Sequence, residues 1–197
     1  KNATLVRDLP DDRWIPGYYR AFVSDPAQEG FYADTLSEFR RVRAEKNLDS
    51  DRYGELMAVA VQSMPYRING DEAPPRFPVE TFAERTGDCD DKSLLLAGLL
   101  AREGYPVVLL LFRPEEHMAV GVGSDGPLYK STGYLYIETT GYAPAGIPPK
   151  VLRGNVTLVS DPVVIDVSTG TKRYRADGPA NIFLPDNLEP AEYQKIL

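Results

Sequence analysis

The chain contains a single cysteine, Cys89, which stands among three aspartates where a leucine-rich stretch begins. With no second cysteine for a disulfide, the thiol is either a small core side chain or a reactive group. Asp88 is a suitable N-cap, and Asp91 follows it by three residues, which predicts a capping box and a helix that starts around Cys89. The free N–H groups of a first helical turn favour a thiolate, whereas the neighbouring aspartates disfavour it.

The only histidine of the chain, His117, can supply the positive partner that this thiol needs. It opens a short apolar segment that predicts a strand, after a break in the chain. A further strand is predicted over residues 134–139, and Glu138 on it can orient the imidazole and stabilise its protonated form. Cys89, His117 and Glu138 therefore have the residue types of a nucleophile, a base and an orienting acid.

Such a triad implies attack of a thiolate on an acyl carbon, proton delivery to the leaving amine by the imidazolium, and later release of the acyl group. Successive residues of a helix point about 100° apart, so we expect the aspartates around Cys89 to turn away into capping and loop hydrogen bonds. The thiol is then predicted to form an ion pair with protonated His117, with a pKa below the roughly 8.5 of free cysteine.

Each of these residues also has an ordinary structural interpretation. A lone cysteine or histidine is more often a core or surface residue, and Glu138 taken alone is typical of a solvent-facing strand position. One cysteine, one histidine and the clustered aspartates lack the spacing of a zinc site, and the aspartates lack the alternating ligands and glycine of a calcium loop. The sequence therefore predicts neither a metal nor a cofactor, and helix capping and solvation explain the aspartates better.

Hydrophobic periodicity predicts the elements that hold the three residues. Predicted helices cover residues 31–46, 50–64 and 88–102, and predicted strands cover residues 106–112, 117–122, 134–139 and 162–167. The first thirty residues are interrupted by proline and glycine and predict an irregular segment with one short helix. Residues 65–78 predict an extended loop. Helices followed by several strands predict an α+β fold, with helices packed on an antiparallel sheet.

Composition and charge limit the class of protein. A chain of 197 residues with 43% hydrophobic content suits one globular domain. Its net charge of -7 argues against binding to nucleic acid or to an anionic membrane surface. Because the chain starts at Lys1 rather than Met, we expect that a signal, an anchor or another leading segment has been removed. The compartment stays open, with an extracellular or membrane-anchored setting among the choices.

Five segments of the chain match the motifs of a known superfamily: residues 77–81 (FPVET), 87–96 (GDCDDKSLLL), 104–107 (GYPV), 117–121 (HMAVG) and 136–140 (YIETT). Together they resemble the transglutaminase-like superfamily of papain-type thiol enzymes in its microbial form. The resemblance covers residues 51–148. It implies a papain-like core there. Residues 1–50 and 149–197 carry no such resemblance, and we predict them to be a helical N-terminal extension and a C-terminal extension of a single domain of residues 1–197.

The resemblance implies that Cys89 is the nucleophile, His117 the base and Glu138 the orienting acid. The superfamily usually has aspartate at the third position, and glutamate is one methylene longer. For the oxyanion hole, the backbone N–H of Cys89 is one donor by its position. The side chains of Gln62 and Tyr66 are the candidates for the other donor.

The same triad serves hydrolysis, deamidation and amine transfer, so the resemblance does not by itself decide the reaction. Microbial members are mostly regarded as peptidases or amidases. The sequence therefore predicts a thiol hydrolase that acts on amide bonds of a protein or peptide substrate through a thioester. A transamidase that crosslinks glutamine to lysine is the second interpretation, and a non-catalytic peptide-binding module of the same fold is the third. No interpretation specifies an oligomeric state.

Overall fold

The computed structural model describes residues 11–70 and 73–175, and within these ranges five α-helices accompany a four-stranded antiparallel sheet. The predicted α+β class is confirmed. The helices are α1 (Asp11–Ser24), α2 (Glu29–Glu45), α3 (Ser50–Ser63), α4 (Pro78–Glu84) and α5 (Cys89–Arg102). The strands are β1 (Pro106–Phe112), β2 (His117–Val122), β3 (Leu135–Ile137) and β4 (Val163–Thr169). The outer parts of the two predicted extensions, residues 1–10 and 176–197, lie outside the described residues.

The sheet has the strand order β3-β2-β1-β4, and each neighbouring pair is antiparallel. The almost fully buried apolar strand β1 lies in the interior of the sheet. A turn over residues 113–116 connects β1 to β2, so Phe112 pairs with His117 at one end of the ladder. His117 therefore lies where β2 begins.

The two faces of the sheet contact different sets of side chains. Helix α5 packs on one face, where its buried leucines join Leu109, Val120 and Ile137 in the main core. The opposite face carries a smaller cluster that includes Phe112 and Tyr136. Alternation along β3 thus sends Ile137 toward α5 and Tyr136 to the other face, as the period-two pattern predicts.

The structure differs from the sequence prediction at three places. Helix α1 has 14 residues rather than a short helical segment, although Pro16 lies inside it. Ile15 and Val23 of α1 are buried in the main core, and this burial outweighs the helical hydrogen bond that Pro16 cannot make. Helix α4 has no counterpart in the prediction; its first residue, Pro78, has a backbone angle suited to a first turn. Strand β3 ends at Ile137, so Glu138 follows the strand. Of the helices in the described ranges, none is long and apolar enough to cross a membrane.

Candidate active site

Cys89 is the first residue of α5, as the sequence predicts. Asp88 is the N-cap, and its carboxylate accepts hydrogen bonds from the backbone N–H groups of Asp90 and Asp91, each at 3.2 Å. The Asp91 carboxylate accepts from the N–H of Asp88 in return, so the predicted capping box is present. The helix start that carries the thiol is thus defined by local hydrogen bonds.

The Asp91 carboxylate also anchors the loop between α3 and α4. It is fully buried and accepts hydrogen bonds from the Asn69 side chain at 2.6 Å and from the backbone N–H of Arg76 at 2.7 Å. The Arg76 guanidinium lies 3.6 Å from the same carboxylate. The carboxylates of Asp88 and Asp91 therefore accept hydrogen bonds from backbone and loop groups, as we expect from the sequence.

The sulfur of Cys89 lies against the start of β2. It is 3.8 Å from the carbonyl oxygen of Glu116, the residue that directly precedes His117. Cys89 is buried, with 9% of its surface exposed. The nucleophile candidate and the backbone that carries the base candidate are thus neighbours.

Asp90 does not turn away from the thiol, and that part of the sequence prediction is wrong. Its Oδ1 lies 3.6 Å from the Cys89 sulfur, and its Oδ2 accepts a hydrogen bond from the Tyr19 hydroxyl at 2.9 Å. Tyr19 belongs to α1, in a segment for which the sequence predicts irregular structure with one short helix. Asp90 faces the sulfur because the long-range hydrogen bond from Tyr19 holds its carboxylate there.

Electrostatics at the sulfur also differ from the sequence prediction. Burial raises the pKa of the Cys89 thiol, the Asp90 charge raises it further, and a hydrogen bond from the backbone N–H of Met118 opposes the rise. Burial likewise raises the pKa of Asp90 to about 6, although the Tyr19 hydroxyl favours the ionised carboxylate. At neutral pH the thiol is therefore protonated, and nucleophilic attack requires a base.

His117, at the start of β2, and Glu138, directly after β3, form a buried pair. His117 Nε2 lies 3.2 Å from Glu138 Oε2, and their side chains are only 7% and 2% exposed. The hydroxyl of Tyr136 donates a hydrogen bond to the same Oε2 and lies 3.5 Å from Nε2. Because Nε2 faces the carboxylate, Nδ1 is the ring nitrogen that remains to exchange a proton with another group.

The other carboxylate oxygen of Glu138 is fully occupied by the residues that follow it. Oε1 accepts hydrogen bonds from the N–H groups of Thr139 and Thr140 and from the Thr140 hydroxyl, at 3.0, 2.8 and 2.7 Å. Burial opposes ionisation of Glu138, but the hydrogen bond and charge of His117, with the bonds from Tyr136 and Thr140, outweigh it. They lower the pKa of Glu138 to about 2, so the carboxylate is ionised at neutral pH.

Tyr136 was not among the site residues predicted from sequence. The signal that could have found it is the period-two alternation of the third strand, which places Tyr136 and Glu138 on one face. The Thr139 and Thr140 contacts arise from the backbone turning after β3, for which the sequence carries no comparable pattern.

The two oxyanion candidates lie in different settings. Gln62 on α3 is buried, and its side-chain amide donates to the backbone carbonyls of Glu138 at 2.9 Å and Ala143 at 3.1 Å. Both amide hydrogens are thereby used, which leaves none for an oxyanion. Tyr66 is half-buried after α3, and its backbone forms a bridge with Gly87, two residues before Cys89. Tyr66 stays a prediction as an oxyanion donor.

Within residues 11–70 and 73–175, no group of three or more His, Cys, Asp and Glu side chains is arranged to hold a metal ion. No family model, curated protein or solved structure matches this chain. We therefore infer the function from the residues of the site.

Proposed function

We propose that this protein is a thiol hydrolase that cleaves amide bonds of a protein or peptide substrate through a thioester acyl-enzyme, with a papain-type arrangement of its core. The observation that carries the proposal is the buried His117–Glu138 pair, whose base directly follows Glu116, the residue with its carbonyl oxygen 3.8 Å from the Cys89 sulfur. A nucleophile at a helix start, a base at the start of the adjacent strand and an acid behind the base are the parts that acyl transfer needs.

Acylation starts from a neutral thiol, because burial and Asp90 raise its pKa. His117 Nδ1 takes the thiol proton as the sulfur attacks the carbonyl carbon, which forms the S–C bond and an oxyanion. The backbone N–H of Cys89 and the Tyr66 side chain are the proposed donors to that oxyanion. As the oxyanion collapses, the C–N bond breaks and the imidazolium gives its proton to the leaving amine.

Deacylation repeats these steps with water in place of the thiol. His117 removes a proton from water as its oxygen attacks the thioester carbon; the S–C bond then breaks and the imidazolium returns the proton to the sulfur. The acyl group leaves as a carboxylic acid. In both halves, the ionised Glu138 stabilises the transient imidazolium. By accepting a hydrogen bond from Nε2, it also keeps a proton on that nitrogen, so Nδ1 is the atom that exchanges protons.

The first test measures whether His117 activates the thiol. Wild-type protein and His117→Ala are alkylated with iodoacetamide over a range of pH, with Cys89→Ala as the control for labelling elsewhere. The proposal expects faster labelling of the wild-type protein and a pH profile that contains a titration absent from His117→Ala. Identical profiles for both proteins contradict the proposed mechanism.

The second test measures the reaction itself. The wild-type protein and Cys89→Ala are incubated with a diverse peptide mixture, and the products are identified by mass spectrometry. Cleavage that depends on Cys89 supports hydrolysis. A labelled primary amine in parallel reactions reports transamidation, and its incorporation in place of cleavage would replace the hydrolase proposal with the crosslinking interpretation.

A further inference from the structure

Ser93 lies one turn after Cys89 on α5 and contacts the residues that directly follow the base and the acid. Its hydroxyl oxygen is 3.1 Å from the carbonyl oxygen of Met118 on β2 and 3.0 Å from the hydroxyl oxygen of Thr139 after β3. Ser93 and Thr139 are both completely buried. One serine thus connects three elements of the proposed site.

The directions of these hydrogen bonds follow from the chemistry of the groups. The Met118 carbonyl can only accept, so the Ser93 hydroxyl donates its one proton to that carbonyl. The Thr139 hydroxyl then donates to the Ser93 oxygen. The result is an ordered chain of two bonds that runs from Thr139 through Ser93 to Met118.

The positions along the chain give this connection its importance. Met118 directly follows His117, and Thr139 directly follows Glu138, so the bonds join α5 to the residues next to the base and the acid. A residue four positions further along a helix lies on the same face, one turn away. Ser93 therefore contacts Met118 and Thr139 from the side of α5 that also carries Cys89.

Apolar packing alone is a weak way to set the position of α5 along the strands. The leucines of α5 are held by burial, which is non-directional and tolerates small shifts along the strands. Hydrogen bonds weaken steeply when their length and angle change, so two buried bonds resist such shifts. Gln62 adds a third restraint, because it binds the Glu138 carbonyl from α3.

We propose that Ser93 and Thr139 are positioning residues that set the distance between the Cys89 sulfur and the His117–Glu138 pair. This inference rests on the proposed thiol mechanism, since only a base-assisted thiol depends on that distance. Neither hydroxyl takes part in proton transfer to the substrate. Their loss acts through the alignment of the nucleophile and the base.

Thr139→Val is the principal test variant, because it replaces the hydroxyl with a methyl group of similar shape. In this variant Ser93 keeps its bond to Met118, so no buried donor loses its acceptor. Thr139→Ser is the matched control, because it retains the hydroxyl. All variants are measured for alkylation of Cys89 over a range of pH and for thermal unfolding.

We expect the alkylation rate of Thr139→Val at neutral pH to fall by about 10- to 100-fold, toward that of His117→Ala, because small misplacements of reacting groups have effects of this size. The rate for Thr139→Ser should stay within about threefold of wild type, since the hydroxyl is kept. With a cleavable peptide as substrate, Thr139→Val should lower kcat and leave KM near that of wild type. A purely structural pair would lower the melting temperature and leave the alkylation profile of the folded protein unchanged.

If Thr139→Val does not fold, Ser93→Ala removes the same contact from the α5 side without adding volume. An unchanged alkylation profile in whichever of these variants folds overturns the positioning role. The proposed function is tested separately, by the difference in alkylation profile between wild type and His117→Ala. If that difference is absent, the thiol mechanism fails and the positioning role fails with it.

Discussion

The Asp90 carboxylate lies 3.6 Å from the Cys89 sulfur and is held there by the Tyr19 hydroxyl. A negative charge at this distance disfavours a thiolate. The thiol of the proposed enzyme therefore stays protonated until His117 accepts its proton during attack. This arrangement makes the resting thiol a slow nucleophile toward small electrophiles.

Replacement of Asp90 by asparagine should make the thiol more reactive. The substitution keeps the size of the side chain and removes its charge, so we expect the pKa of Cys89 to fall. Each unit of the fall gives about a tenfold larger thiolate fraction at neutral pH. Iodoacetamide alkylation over a range of pH measures the change.

Asp91→Asn is the control for this experiment, because Asp91 belongs to the same helical turn but binds the loop at Asn69 and Arg76. It should lower thermal stability and leave the thiol titration near that of wild type. Equal effects of the two variants on the thiol titration would show that Asp90 has no special influence on the sulfur.

The pH dependence of the free energy of unfolding should also show the ionisation of Asp90. Its pKa rises from 3.8 to about 6 in the folded protein, mainly through burial, so between these values the folded state binds more protons than the unfolded state. The contribution of Asp90 to stability is therefore present at low pH and is lost as pH rises through about 6. Asp90→Asn should match wild type near about pH 4 and exceed it by about 1–3 kcal/mol near about pH 7. Urea denaturation at both pH values measures the difference, and a constant difference would contradict the assignment.

Glu138→Gln should strongly reduce the activity without removing the side chain. Three donors from Thr139 and Thr140 bind Oε1, so the new amide oxygen takes that place and the amide nitrogen faces His117. The Nε2 atom must then accept a hydrogen bond from this amide instead of donating one, which puts the ring proton on Nδ1 and blocks its role as the base. We expect a loss of roughly a hundredfold or more in cleavage rate. Glu138→Asp keeps the charge and should retain part of the activity; equal rates for both variants would contradict a role for the carboxylate charge.

Cys89→Ser should separate catalysis from stability. The sulfur lies near two acceptors, the Glu116 carbonyl and the Asp90 carboxylate, so a serine hydroxyl in its place can donate a hydrogen bond. We expect a change of less than about 1 kcal/mol in the free energy of unfolding and no measurable cleavage. Melting curves and peptide turnover are compared on the same preparations. A large loss of stability would identify Cys89 as a core residue.

Gln62→Leu should lower stability, because the backbone carbonyls of Glu138 and Ala143 lose their side-chain donor while they stay buried. We expect a cost of about 1–3 kcal/mol in the free energy of unfolding, measured by urea denaturation. An oxyanion donor would behave differently. Its removal would lower kcat and leave the stability near that of wild type.

Local signals in the sequence were sufficient to predict the elements that carry the site. The Asp88–Asp91 capping box defines the start of α5 through contacts between residues three positions apart, so the chain close to Cys89 contains all the information. The apolar run of β1 and the alternation around Tyr136 likewise specify strands and their faces. These features follow from short-range geometry, which a single sequence records directly.

The contacts between elements were decided only by the tertiary structure. Tyr19 reaches Asp90 across 71 positions, Gln62 reaches Glu138 across 76, and Ser93 reaches Thr139 across 46. Each contact depends on how a helix is rotated and shifted relative to its neighbours, and this is set by the packing of the whole core. The sequence therefore determined which residue types stand at the starts of α5 and β2. The fold alone decided that Asp90 faces the sulfur, that the amide of Gln62 is already used, and that the environment of the thiol raises its pKa.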